Sequence, residues 1–208
     1  MKEHPISFNG PMIRAILEGR KTQTRRVIKY QPTQCGLIWI ETTVGFAAWQ
    51  DEGLLLDEHS EDGGPCQRKC PYGRIDDQLW VRENWQAWTE HNRTKTADLP
   101  EEMRRLINYT ANGNTWDARI RPPAQMPRWA SRITLNVDSV QVERLQDIDE
   151  EDALAEGMRC DKDTLAATGH ATYIDAFRDI WKQINGPDSW NENPWVWKIE
   201  FSIKHIRT

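Results

Sequence analysis

The stretch RITLNVDSVQVERL, residues 132–145, constrains the fold more than any other part of the chain. Ile133, Leu135 and Val137 alternate with polar neighbours, which is the period of a strand with one buried face. The alternation slips at Asp138–Ser139, so a bulge or a turn belongs there. A second long run, PWVWKIEFSIKHI, closes the chain as another strand. ISF at 6–8, QTRRVIKY at 23–30 and DDQLWVRENWQAW at 76–88 add extended segments. A chain of strands with a few packed helices is predicted to be α+β, with a strongly bent sheet or small barrel.

Helical patterns are few. Ile13, Ile16 and Leu17 keep the spacing of one buried helical face, Pro11 suits the first turn, and Gly19 stops the helix. In DIDEEDALAEGM, Asp149 is the expected N-cap and Gly157 the stop. ATYIDAFRDIWKQI places Tyr173, Ile174, Phe177, Ile180, Trp181 and Ile184 on one face. Two regions, at about 31–75 and 89–128, are predicted to be insertions. The first carries a hairpin around Gly45 and a polar loop, DEHSEDGGPCQRKCPYG. The second carries a short helix, PEEMRRLI, amid proline-rich irregular chain. With 208 residues, a single domain from 1 to 208 with these insertions is expected.

A formal net charge of −5 argues against a general nucleic-acid coat protein, which would be basic. Contacts to nucleic acid would have to be local, at Arg14 with Arg20–Arg26, at Arg104–Arg105, or along Arg119–Arg132. No leader precedes MKEHPISFNG and no apolar run has the length of a membrane span, so a cytoplasmic chain with no membrane partner is expected. Its four cysteines, Cys35, Cys66, Cys70 and Cys160, are then expected as free thiols. CQRKC is one close pair without a second, and His59 is the nearest additional ligand type. The pattern predicts no metal site and no cofactor.

The corner ILEGRKTQTRRV, residues 16–27, gathers Lys21, two threonines and three arginines where a helix gives way to a strand. Such residues solvate a turn, or else Lys21 and Thr24 form half of a small site. On a straight strand residues i and i+3 face opposite sides, so the two converge only if the backbone bends between them. MPRWASR offers a second arrangement. Trp129 between Arg128 and Arg132 suits base stacking with phosphate contact, and equally a core tryptophan among surface arginines. Arg82 and Glu83 in LWVRENW are candidate pocket-lining groups.

In this order, ILEGRKTQTRR, DDQLWVRENW, RITLNVDSVQVERLQDI, DEEDALAEGM and WVWKIEF resemble the ASCH domains of the PUA-like barrel superfamily, and MPRWASRITL resembles a phage- and prophage-encoded branch. The resemblance covers about half the chain and leaves both insertions outside. It implies a PUA-like small bent β-barrel with packed helices. Some small bacterial ASCH proteins are amidohydrolases that remove the acetyl group from N4-acetylcytidine with a lysine, a threonine three residues later, and a glutamate on a later helix. The resemblance carries these roles to Lys21, Thr24 and Glu156. A lysine serves as base to a threonine hydroxyl only with a lowered pKa, which burial or nearby cations such as Arg25 and Arg26 would supply.

Three functions follow from the resemblance. The first is a pocket for a pyrimidine nucleoside or modified base, with amidohydrolase action on N4-acylated cytidine. The second is a noncatalytic module reading RNA, single-stranded nucleic acid or a modified base, with Arg25, Arg26, Arg128, Trp129 and Arg132 as contacts. The third is a phage morphogenesis protein.

Overall fold

The computed structural model describes residues 1–29, 31, 37–42, 46–51, 66–91, 93–99, 102, 106–158 and 169–207, with backbone alone at 37–42, 46–51, 66–69 and 89. The expected short helix at 100–107 falls mostly outside these residues. So do the turn at Gly45, the 57–65 part of the expected loop, and Cys35 and Cys160.

The fold is α+β. Its main sheet has five strands: β1 (Glu3–Ser7), β2 (Gln23–Val27), β6 (Gln78–Arg82), β10 (Ile133–Arg144) and β11 (Trp195–Ile206), in the order β1-β6-β10-β11-β2. The first pair is parallel and the others antiparallel. The register between β10 and β11 shifts between Val137 and Ser139, where the alternation slips, and again between Thr134 and Leu135. Each bulge adds twist and bends the strand. The edge strands β1 and β2 are linked by a side chain: Arg26 Nη2 donates to the Ser7 carbonyl at 2.7 Å. Among the described residues no backbone ladder joins them, so closure into a barrel is not made by strand pairing.

Helix α1 (Gly10–Leu17) lies between β1 and β2 in sequence, and Asn9 caps it by accepting from the Met12 N–H at 3.0 Å. Its Ile13 and Ile16 are buried with Ile6, Leu79, Leu135 and Ile199 in the main core. Helices α2 (Glu150–Ala155) and α3 (Tyr173–Asn185) build a second core from Ala153, Phe177 and Trp181 against Leu145, Ile148 and Val196. Asp149 caps α2 as expected, and Thr172 with Asp175 caps α3.

The structure corrects three readings. DDQLWVRENWQAW is not one strand. It breaks at Glu83–Asn84 into β6 and β7 (Trp85–Ala87), because Glu83 turns inward to a buried partner and the next strand joins another sheet. Within the expected loop, Cys66–Lys69 is a strand, β5, paired to β4 (Phe46–Asp51), which itself pairs with β3 (Leu37–Thr42). Region 89–128 is not wholly irregular. β8 (Ile107–Tyr109) and β9 (Ile120–Arg121) flank β7, over a small core of Trp85, Leu99, Met126 and Ala130. Cys70 is buried in the main core, which pushes its thiol up to about 12. No described helix is long and apolar enough to cross a membrane.

Candidate functional site

The corner after α1 bends at Gly19, ahead of Lys21 rather than between Lys21 and Thr24. Gly19 takes φ +74°, and the Arg20 and Lys21 N–H groups both donate to the Ala15 carbonyl, at 2.9 and 3.1 Å. Lys21 therefore precedes β2 and forms an isolated antiparallel bridge with Glu156, the residue that ends α2. The chain then leaves α2 through Gly157 at φ +98°. A Cβ there would stand 3.0 Å from the Cβ atoms of both Lys21 and Ala15. Glycine is thus needed twice, for the left-handed backbone and for the close approach.

This bridge makes a buried ion pair from residues 135 positions apart. Lys21 Nζ lies 2.6 Å from Glu156 Oε2 and donates to the Glu156 carbonyl at 2.9 Å. The Lys21 side chain is 0 % exposed and that of Glu156 3 %. Burial pulls the Lys21 ammonium below its ordinary range, against the opposing pull of Glu156. Arg25 extends the network. Its guanidinium reaches Glu143 at 2.6 Å, Asp152 at 2.5 Å and Glu156 at 3.4 Å. Burial works against its charge, yet these carboxylates hold it above its ordinary value. Burial raises the Glu143 carboxyl. For Asp152 burial acts in the same upward direction, but Lys198 at 2.6 Å and Arg25 outweigh it and hold the carboxyl low.

The Asp152 shift has a testable sign. Its folded pKa lies below the ordinary 3.8, so its contribution to stability is present above that value and lost as pH falls through the folded pKa. Asp152→Asn is expected to be less stable than wild type at neutral pH and to show a flatter acid limb. Denaturation midpoints followed from about pH 6 down to about pH 2 check this. Parallel acid limbs would assign the acid loss elsewhere.

A cavity of about 120 Å³ opens beside this cluster. Thr24, Arg25, Arg26 and Glu156 line it together with Phe177, Ile180, Trp181 and Ile184 of α3. Met12, Val27, Tyr72 and Asn185 complete it. Thr24 is 2 % exposed and Trp181 5 %. Lys21 does not line the cavity; its ammonium touches Glu156, which does. Arg26 stacks over the Phe8 ring at 5.1 Å, and burial lowers its pKa. Among the described residues no carboxylate lies within ion-pair distance of Arg26, although the Glu156 charge acts on it. Its Nε and the Trp181 Nε1 are buried without a hydrogen-bond partner.

The other expected contacts lie elsewhere. Arg132 Nε and Nη2 form a two-pronged pair with Glu83 at 2.8 and 2.9 Å, and Arg132 stacks on Tyr109 at 4.2 Å. Arg128 pairs with Glu3 at the surface. Trp129 packs edge-on against Trp85, 6.2 Å between centroids. Arg82 sits over Trp80 at 5.2 Å. None of these lines the cavity.

Sequence reasoning misses Tyr72, Phe177 and Trp181 as site residues. The last two belong to the apolar face of α3, and periodicity does not distinguish a core wall from a cavity wall. Glu143 and Lys198 carry no separate signal, because both long strands hold several polar residues. No family model, curated protein or solved structure matches the chain.

Proposed function

We propose that this chain is an ASCH-like member of the PUA-related group whose cavity takes the base of a pyrimidine nucleoside and hydrolyses an acyl group from its N4. The observation that carries this reading is the shared cavity of Thr24 and Glu156, with Lys21 2.6 Å behind the glutamate. The curvature that brings β1 and β2 within reach of the Arg26 side chain supports the PUA-like assignment.

In this mechanism Lys21 and Glu156 act as one coupled unit. Burial disfavours the charged lysine, and transfer of its proton to the carboxylate yields an amine and a carboxylic acid. The amine side of the unit accepts the Thr24 proton as the Thr24 oxygen attacks the acyl carbon. Glu156 then donates its proton to N4 as the C–N bond breaks, freeing the amino base. Water attacks the threonine ester, releases the carboxylic acid product and restores the hydroxyl. The apolar side of α3 shields these steps from bulk water.

One observation favours a noncatalytic reader of a modified base: Lys21 is fully engaged with Glu156 and does not itself line the cavity. Incubation with N4-acetylcytidine separates the two. Release of cytidine supports hydrolysis, whereas saturable binding without turnover supports the reader. Neither binding nor turnover of any pyrimidine nucleoside would remove both.

Cavity size adds an expectation. A dry cavity of about 150 Å³ holds one benzene ring. At about 120 Å³ this one has room for no more than part of an acylated base, so the sugar stays outside. The ribo and 2′-deoxyribo substrates are therefore expected to have kcat/KM values within about threefold of each other. Strong discrimination by the 2′-hydroxyl would place the sugar inside.

A further inference from the structure

Burying an N–H without an acceptor costs its full desolvation, so each such group in a folded protein calls for a cause. Among the described residues the indole N–H groups of Trp85 and Trp181 are both in this state. Trp85 is 0 % exposed in the core of the small sheet. Trp181 differs, because it lines the cavity that Thr24 and Glu156 share. It therefore borders the same space that a ring held with its N4 toward Glu156 would occupy.

We propose that Trp181 is a specificity-determining residue, whose indole N–H donates to an acceptor on the bound ring and selects bases that offer an acceptor at that position. This rests on the reading of the cavity as a pyrimidine site. Indole nitrogen is a donor only. It therefore rewards a carbonyl oxygen or an unprotonated ring nitrogen and penalises a ring N–H. Cytosine offers O2 and N3, both acceptors, on adjoining positions. Uracil and thymine keep O2 but turn N3 into a donor, so a contact to N3 discriminates against them and a contact to O2 does not. Trp181 is held in place for this task. Phe177 packs against it at 5.9 Å between centroids, and Asn185 Nδ2 donates to its carbonyl at 3.2 Å. The Nε of Arg26, which also lines the cavity, is a second unpartnered donor and adds to the preference for acceptor-rich ligands.

The test uses cytidine, which binds without turnover, and two analogues: 3-deazacytidine, with C–H in place of N3, and the analogue lacking the 2-carbonyl. Calorimetric titrations compare wild type with Trp181→Phe, which keeps an aromatic wall and removes the N–H. The expected result is cytidine affinity about tenfold weaker in the variant, which is about 1.4 kcal/mol. That penalty should vanish for whichever analogue lacks the contacted acceptor. Equal cytidine affinity in the two proteins would overturn the proposal. So would an equal loss for all three ligands, which marks a purely structural residue. A wild type that binds none of the three removes the pyrimidine reading itself, and this proposal with it. If the variant fails to fold, the wild-type indole spectrum decides. The Trp181 N–H resonance is expected to move downfield with cytidine and not with the analogue that lacks the acceptor. An unmoved resonance under saturating cytidine overturns the assignment.

Discussion

Thr24→Val is expected to lower deacylation of N4-acetylcytidine by at least about 100- to 10,000-fold while leaving the protein folded. Valine matches threonine in shape and removes only the hydroxyl. Thr24 lies in β2, opposite Ile199, and the backbone pairing there does not involve its side chain. Stability should therefore change little, and a thermal melt alongside the rate assay separates chemistry from folding. Glu156→Gln should lose activity on a similar scale, since glutamine keeps the shape and cannot carry the proton. Because Lys21, Thr24 and Glu156 would act as one unit, a double variant of Thr24 and Glu156 should be little slower than either single one. Activity that survives Thr24→Val would show that the hydroxyl is not the nucleophile. Losses that multiply in the double variant would show that the groups act separately.

The second large effect concerns stability. Arg132→Ala is expected to cost about 3–5 kcal/mol, since it strands the Glu83 carboxylate in the interior. Glu83 is 1 % exposed in its side chain, and Arg132 supplies both hydrogen bonds at its two oxygens. Burial already raises the Glu83 carboxyl above its ordinary 4.5, and loss of the guanidinium would raise it further. A carboxyl raised in the folded state opposes folding above its unfolded pKa. The deficit of Arg132→Ala should thus be full at neutral pH and shrink as pH falls toward 4.5. Replacing both residues with leucine should recover much of the loss, because an apolar pair strands no charge. Urea denaturation of the single and double variants measures each step. A loss below about 1 kcal/mol would place the pair among weak surface bridges.

These two pairs show how far the residues could be read in order. Local rules were enough for the helices. Asn9, Asp149 and Thr172 cap them through contacts within three residues. The long strands were equally legible, because alternation is a local property, and the slip at Asp138–Ser139 did mark a bulge. The break of β6 from β7 was not legible. LWVRENW alternates well enough to continue, and only the buried guanidinium of Arg132, 49 positions later, draws Glu83 out of the strand. The strand at Cys66–Lys69 was hidden for a related reason: its partner, Phe46–Trp49, lies across a polar stretch of chain.

At the cavity the division is sharper. Gly19 and the requirement for a bend between Lys21 and Thr24 are written in the local sequence, as are the N-cap and stop of the helix that ends at Glu156. Sequence alone also determined the face of α3 that turns inward, since 3.6-residue spacing sets it. It did not determine what that face meets. Whether Trp181 closes a core or walls a cavity depends on where β2 and α1 stand relative to it. The same holds for Arg25: its charge is evident from the sequence, but its three carboxylate partners come from β10 and α2. Tertiary structure decided these matters, because burial, pairing and open space depend on the distance between atoms far apart in the chain.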